Sequence, residues 1–128
     1  MEIVNVRYIV DDVAVAADFY QRHLGFELVR QPAPEFAILA RGPLRLLLNA
    51  PTGPGGAAQP AADGRRPEPG GWNRIQLEVD DLDATVRDLR AAGVPLRSEV
   101  VQGRGGRQVL VDDPAGNPVE LFEPPAER

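Results

Sequence analysis

Residues 112–125, Asp-Asp-Pro-Ala-Gly-Asn-Pro-Val-Glu-Leu-Phe-Glu-Pro-Pro (DDPAGNPVELFEPP), predict a tight turn followed by a short strand. Residues that break helices fill the first half of this stretch, and mostly apolar residues follow. One carboxylate, Glu120, lies near the start of the strand. On the inner face of a sheet such a carboxylate can hold a metal, anchor a ligand or pair with an arginine, and the rest of the chain has to decide among these roles.

The composition excludes several kinds of chemistry. The chain has no cysteine, which excludes disulfides, thiolate metal sites and cysteine nucleophiles. All fourteen basic residues are Arg, so Schiff-base lysine chemistry is excluded as well. The chain has one His, His23, and one Ser, Ser98. This argues against a Ser/His/Asp triad and against a metal site made of several histidines.

Length and charge also limit the range of functions. With 128 residues, of which 43% are hydrophobic, the chain is long enough for one compact core, so a single domain is expected. The net charge of −5 argues against a nucleic-acid surface. No apolar run is long enough to span a bilayer and no leader precedes the first predicted strand, so we expect no membrane contact and a cytoplasmic location.

The chain contains an internal repeat. The stretch VDDVAVAADFYQRHLGFELV begins at Val10, and VDDLDATVRDLRAAGVPLRS begins at Val79. Both contain the end of a strand, an Asp pair, an amphipathic helical pattern and a glycine. Corresponding residues lie 69 positions apart at the start of the two stretches and 68 positions apart after one deletion. Self-similarity at such a period predicts two related modules.

Each module is predicted to have the order βαβββ. Apolar and polar residues alternate before each Asp pair, which is typical of half-buried strands, and Asp12 and Asp81 are good N-caps. The helical stripes are Val13, Ala16, Ala17, Tyr20 and Leu24 in the first module and Leu82, Val86 and Leu89 in the second. Further strands are predicted at 26–31, 35–41, 44–49, 96–101, 107–112 and 118–123, with a hairpin turn at GRGGR from Gly103.

A long connecting segment separates the modules, and half of its residues are Pro or Gly. It covers residues 51–72 and leaves 1–50 and 73–128 as the two modules of the single domain. Such a composition cannot build an apolar core, so the segment is either a plain linker or a loop that folds over a site. Its last residue, Trp72, either fills the entrance to the next strand or stacks on a ligand.

These stretches resemble the vicinal oxygen chelate superfamily, which includes glyoxalases, extradiol dioxygenases and bleomycin-resistance proteins. The likeness is carried by VRYIVDDVAVAADFYQRHLGFELV, WNRIQLEVDDLDATVRDLRAAGV and DDPAGNPVELFEP, with the motifs FYxxxLGF and DPxGNPxEL. It implies an α+β fold in which two βαβββ modules form a cupped, partly open mixed β-barrel with the helices on the outside. It specifies the fold but not the reaction.

The resemblance also implies where a metal would be held in enzymatic relatives. The matching positions are Asn5 and Arg74 on the first strands and Arg45 and Glu120 on the last strands. Arginine has no lone pair to offer and stays protonated, so two of the four positions repel a cation. We therefore expect no metal, no other cofactor and no catalytic residue of the usual kind.

In place of a metal, the sequence predicts a polar cup that binds a ligand. Arg74 or Arg45 is expected to form a bidentate pair with Glu120 and to lock the two modules together. Fixed donors and acceptors of this kind also orient an oxygen-rich ligand, and aromatic residues offer stacking surface. The candidate ligand-binding residues are Asn5, Arg7, Arg45, Leu47, Trp72, Arg74, Gln76, Glu78, Glu120 and Phe122.

Two functions are compatible with this site. The first is a protein that binds and sequesters a small aromatic or polyketide-like antibiotic, as in the bleomycin-resistance branch. The second is an enzyme of the same superfamily, a lyase, isomerase, epimerase or dioxygenase that uses Glu120 as a metal ligand, or Glu120 or Glu78 as general base. The resemblance also implies a homodimer, with a cleft built either within one chain or across the two-fold axis.

Overall fold

The computed structural model describes residues 2–126. The chain divides into two compact units, the first ending at Gly70 and the second beginning at Gly71. Each unit combines one sheet with an α-helix, and the two have the same order of elements. The predicted α+β class and the two βαβββ modules are confirmed. In the described part of the chain, neither α-helix is long and apolar enough to cross a membrane.

Over residues 2–70 the chain forms a four-stranded sheet with an α-helix packed on it. The strand order is β1-β4-β3-β2, with β1 parallel to β4 and the other neighbours antiparallel. The sheet is therefore mixed and open, and β1 and β2 are its edges. The elements are β1 (Val4–Ile9), α1 (Val13–His23), β2 (Glu27–Ala33), β3 (Phe36–Arg41) and β4 (Leu44–Asn49), followed by a 3-10 turn (Gly56–Ala58).

The core of the first unit lies between α1 and one face of its sheet. Every residue of the predicted helical stripe is buried, and Phe19, which the stripe omitted, is buried as well. Alternate strand residues are buried on the same face because side chains of a strand point to opposite sides in turn. These strand residues are Tyr8, Ala37, Leu39, Leu46 and Leu48. The opposite face of the sheet carries polar side chains such as Arg7 and Arg45 among apolar ones such as Ile38.

The second unit repeats this architecture over residues 71–126. Its strand order is β5-β8-β7-β6, with β5 parallel to β8 and the other neighbours antiparallel. The elements are β5 (Ile75–Glu78), α2 (Leu82–Ala91), β6 (Val101–Gln102), β7 (Arg107–Asp112) and β8 (Pro118–Glu123). The residues buried towards the helix are Ile75, Leu77, Leu82, Val86, Leu89, Val109, Val111, Val119 and Leu121.

The strand predicted at 96–101 is wrong in extent, because only Val101–Gln102 forms a regular ladder there. The preceding residues still run beside β7, but a side chain replaces part of the ladder. The Leu110 N–H donates to Ser98 Oγ at 3.0 Å, while the Arg97 N–H donates to the Leu110 carbonyl at 2.8 Å. The single serine is therefore a structural hydrogen-bond acceptor that interrupts the strand.

Local side-chain contacts position both helices and the last strand as predicted. Asp12 Oδ1 accepts from the Val15 N–H at 3.1 Å, and Asp81 Oδ1 accepts from the Ala84 N–H at 3.0 Å, so both N-caps are confirmed. At the turn before β8, Asp113 Oδ1 accepts from the backbone N–H groups of Ala115 and Asn117, each at 2.9 Å. This buried turn determines where β8, and with it Glu120, begins.

Candidate functional site

Polar side chains occupy the face of the second sheet that is turned away from α2. Gln76, Glu120 and Leu110 lie side by side across β5, β8 and β7, and Glu78, Phe122 and Gln108 form the next row. Four predicted ligand-binding residues, Gln76, Glu78, Glu120 and Phe122, therefore share one face. Gln108 and Leu110 belong to the same face, although the sequence did not single them out.

Glu120 is the centre of this face. Its Oε1 accepts two hydrogen bonds from Arg74, from Nε at 3.1 Å and from Nη2 at 2.8 Å, and its Oε2 accepts one from Gln76 Nε2 at 2.6 Å. The Glu120 side chain is 9% exposed and the Arg74 side chain is 29% exposed. A carboxylate buried to this degree needs such partners, because leaving it unpaired costs several kcal/mol.

The predicted pairing of Glu120 with an arginine is confirmed, and the arginine is Arg74. The prediction that this pair locks the two modules together is wrong, because Arg74 and Glu120 both belong to the second unit. Arg45 donates from Nη1 to the carbonyls of Gly42 and Leu44, at 2.9 and 3.2 Å, in its own unit. The ion pair thus joins β8 to the residues just before β5.

Trp72 lies just before Arg74 and is 68% exposed. It does not fill the entrance to β5; the Arg97 guanidinium lies over its ring, 4.8 Å from the centroid. Arg97 is itself held by Asp112 Oδ1 at 2.8 Å and by the Gly116 carbonyl at 2.9 Å. A fixed cation therefore supports the indole ring and leaves most of it accessible.

The remaining predicted residues lie on the corresponding face of the first sheet. Asn5 is in register with Arg45, and Arg7 with Leu47, on the side opposite the buried Leu46. This face of the first sheet is mixed, because Ile38 is in register with Leu47 and Ala40 with Arg45.

A cavity of about 440 Å³ lies at the carboxyl end of β4 in the first unit. Arg7 and Phe36 line it, together with residues of the connecting segment around the 3-10 turn at Gly56–Ala58. Asn49, which the sequence analysis missed, also lines it; its position two residues beyond Leu47 places it on the same face and was the available signal. A larger hollow of about 550 Å³ lies among loop residues between Gln59 and Glu68, which are mostly exposed.

The strands pair differently in the two units. If Asn5 is matched to Arg74 and Arg45 to Glu120, as the repeat suggests, Arg74 should lie opposite Glu120. Instead Gln76 is opposite Glu120, whereas Asn5 is opposite Arg45. Relative to β1 and β4, the pairing of β5 with β8 is therefore shifted by two residues. A shift by an even number leaves every side chain on the same face of the sheet. Arg74 therefore reaches Glu120 along the strand, and Gln76 adds the third hydrogen bond.

The residues at the expected metal positions do not fit a cation. Both oxygens of Glu120 already accept hydrogen bonds from Arg74 and Gln76, and the guanidinium itself would repel a metal ion. Among residues 2–126 no three His, Cys, Asp or Glu side chains are grouped so that they could hold one.

Comparison with known families places the chain in one of them. The model of the Glyoxalase/Bleomycin resistance protein/Dioxygenase superfamily matches residues 2–121. The chain belongs to this superfamily. No curated protein sequence matches it significantly, so the assignment to a branch of the superfamily depends on the site and on solved structures.

Several solved structures of the superfamily fold are similar to this protein over nearly their whole length. A superfamily member from Sphaerobacter thermophilus is 29% identical, with a TM-score of 0.75, and the match covers 96% of this chain and 97% of that one. TnmS3, an antibiotic binding protein from Streptomyces sp. CB03234, is 26% identical (TM-score 0.73; 97% and 96% covered). A lactoylglutathione lyase from Agrobacterium tumefaciens is 25% identical (TM-score 0.74; 94% and 92% covered).

Proposed function

We propose that this protein binds and sequesters a small aromatic natural product, such as an antibiotic, without a metal and without changing the ligand chemically. The observation that carries the proposal is the Glu120 cluster, in which one guanidinium and one amide hold a nearly buried carboxylate; the same guanidinium donates to the backbone carbonyl of Trp72, whose ring is exposed. The proposed ligand-binding residues are Asn5, Arg7, Arg45, Leu47, Trp72, Arg74, Gln76, Glu78, Glu120 and Phe122.

The chemistry of this face favours binding over turnover. Donors and acceptors that are already fixed lose little entropy when a polar ligand binds, and an accessible indole adds stacking area. A nucleophile or base acts through a free lone pair, whereas three of the roughly four lone-pair positions of Glu120 already accept hydrogen bonds, two on Oε1 and one on Oε2, and the Arg74 guanidinium lowers the basicity of the carboxylate. The similarity to TnmS3, an antibiotic binding protein, also supports binding.

The single tryptophan allows a direct test. Purified protein would be titrated with a panel of aromatic polyketide antibiotics, and binding would be followed by Trp72 fluorescence and by calorimetry. We expect a ligand that quenches the fluorescence and is recovered with unchanged mass after incubation. Trp72→Ala should weaken binding measured by calorimetry about tenfold or more, because stacking and buried area are lost together.

Val15→Ala is the matched control, since Val15 is an exposed apolar residue of α1 and α1 packs on the sheet face opposite the proposed ligand residues. Its affinity should equal that of the wild type. A Trp72→Phe variant, which keeps an aromatic ring, should retain an intermediate affinity. Equal affinities for wild type and Trp72→Ala would contradict the proposed role of the ring.

The second candidate is an enzyme, and the 25% identity to a lactoylglutathione lyase is the observation that supports it. In that case Glu120 would be a metal ligand, or Glu120 or Glu78 a general base. After dialysis against Zn²⁺ or Mn²⁺ and removal of free metal, the proposed function predicts far less than one metal ion per chain by elemental analysis. Stoichiometric metal that is lost in Glu120→Ala, or conversion of a bound compound over many turnovers, would establish the enzyme instead.

A further inference from the structure

One residue that lines the cavity in the first unit, Asn49, has a buried hydrogen-bond acceptor that no described residue uses. Asn49 is 8% exposed, and its Oδ1 has no hydrogen-bond partner among residues 2–126. Buried polar atoms in folded proteins are nearly always paired, so an unpaired one needs a physical explanation. Because Asn49 lines a cavity, a donor supplied by a ligand is the partner that its position allows.

Asn49 is held rigidly. It is the last residue of β4, where it lies in register with Ile9 on one side and Phe36 on the other. Its carbonyl accepts from the Val10 N–H at 2.9 Å, and the following N–H, of Ala50, donates to the Glu35 carbonyl at 3.0 Å. An acceptor fixed between two neighbouring strands is already oriented before a ligand arrives, which reduces the entropic cost of binding.

The connecting segment supplies the other wall of the cavity. Hydrogen bonds within the segment hold it in place: Gln59 Nε2 donates to the carbonyls of Gly53 and Gly55 at 3.3 and 3.2 Å, and the Ala58 N–H donates to the Gly55 carbonyl at 3.1 Å. Ala58 is 6% exposed, so this part of a Pro- and Gly-rich segment is packed against the unit. This side of the cavity is therefore formed by a hydrogen-bonded, packed segment.

The lining of the cavity indicates what chemical group it accepts. Phe36, Pro54 and Ala58 provide apolar surface, whereas Arg7 and Glu35 provide one charge of each sign. Opposite charges leave the lining close to neutral, which favours an uncharged group over an ion. The volume of about 440 Å³ lies in the range of small-molecule sites and accommodates an aromatic ring.

We propose that this cavity is a ligand subsite for a neutral aromatic group that carries an N–H or O–H donor, such as a carboxamide or a phenol, with the donor bonded to Asn49 Oδ1. The inference goes beyond the proposed function, because the subsite is built on Asn49 and the connecting segment, which lie outside the proposed ligand set although Arg7 belongs to both, and because its occupant need not be an antibiotic. Failure of antibiotic binding at Trp72 would leave it standing.

A pair of small probes tests the acceptor directly. Benzamide has two N–H donors, and N,N-dimethylbenzamide has the same ring and carbonyl but no donor. In ¹H–¹⁵N NMR titrations of the labelled protein at millimolar probe concentrations, benzamide should shift the Asn49 side-chain amide and the backbone amides of Ala50 and Ala58. N,N-dimethylbenzamide should bind at least about tenfold more weakly, because it leaves the buried acceptor unpaired.

Asn49→Leu removes the acceptor and keeps a similar volume. We expect this variant to bind benzamide at least about tenfold more weakly than the wild type, while Gln21→Leu, on the exposed side of α1, binds it normally. Its melting temperature should not fall, because no protein hydrogen bond to Oδ1 is lost. Equal binding of the two probes to the wild type, shifts confined to residues outside the cavity, or unchanged benzamide affinity in Asn49→Leu would each overturn the proposal.

Discussion

At the scale of single residues, the two partners of the central ion pair are not equivalent. Glu120 is nearly buried, whereas Arg74 keeps almost a third of its side chain in solvent. Removal of the arginine leaves a buried carboxylate that still accepts a hydrogen bond from Gln76, while removal of the carboxylate charge leaves a guanidinium that water can reach. The cost of breaking such a pair depends mainly on which charge stays buried.

Arg74→Met is therefore expected to lower the free energy of unfolding more than Glu120→Gln. We predict a loss of about 3 kcal/mol for the first and about 1 kcal/mol for the second, because Gln76 can turn its amide to suit a neutral partner. Urea unfolding followed by circular dichroism measures both. Equal losses, or a larger loss in Glu120→Gln, would show that the carboxylate is less dependent on Arg74 than the geometry indicates.

A second ion pair, outside the candidate site, gives a pH prediction. The Arg107 Nη2 donates to Asp83 Oδ1 at 2.7 Å, and this hydrogen bond lowers the pKa of Asp83 below its ordinary value; the same contact raises the pKa of Arg107. A carboxylate with a lowered folded-state pKa stabilises the protein above its unfolded pKa of about 3.9, and this stabilisation disappears as the pH falls through the lower folded value.

Asp83→Asn should consequently lower the melting temperature slightly at pH 7, and this difference should disappear at an acidic pH below the folded-state pKa, where the wild-type carboxyl is protonated as well. The effect is small because the Asp83 side chain is 60% exposed, and high salt should reduce it further. Thermal unfolding at the two pH values measures it, and NMR titration of the Asp83 carboxyl checks its cause. A pKa at or above the ordinary value would refute the explanation.

At the scale of elements, the hairpin between β6 and β7 depends on one glycine. Gly106 is buried with φ +146°, a conformation that L side chains rarely adopt, and its carbonyl accepts from the Gly103 N–H at 2.8 Å. A Cβ at this position would collide with the Glu123 carbonyl oxygen and would lie 2.8 Å from the Phe122 ring. The predicted GRGGR turn is confirmed, and its packing against β8 explains why that glycine is required.

Gly106→Ala is expected to destabilise the protein by about 2–4 kcal/mol, because backbone strain and overlap with β8 add together. The neighbouring Gly105 is a matched control: no atom lies within 4 Å of a Cβ built there, so Gly105→Ala should change stability by less than about 0.5 kcal/mol. Thermal and urea unfolding of the two variants measure the difference. Similar behaviour of the two alanine variants would argue against the close approach of Gly106 to β8.

At the scale of the whole molecule, the two units are variants of one architecture. Both have the strand order first-last-middle-second, and both helices begin at an Asp cap. They differ in the length of the second strand: β2 has seven residues, whereas β6 has two. The repeat is thus a common scaffold on which each unit carries a different set of side chains opposite its core.

We predict that the protein is a homodimer in solution, as the family resemblance implies. Sedimentation equilibrium at micromolar concentrations should give twice the chain mass of 13.9 kDa. Two-fold pairing is the commonest way in which soluble chains associate. A mass of one chain across the concentration range would contradict this prediction. Each ligand site would then be formed by a single chain.

The sequence by itself determined the fold class, the duplication, both helix caps and the strands β4, β7 and β8. These features depend on local periodicity, on glycine and on capping residues, which act within a few positions along the chain. It also predicted that Glu120 pairs with an arginine. Tertiary structure alone decided that the partner is Arg74 of the same unit, that Gln76 completes the cluster and that Arg97 supports Trp72. A two-residue register shift and contacts between residues 25 to 46 positions apart produced these results, and no local pattern encodes them.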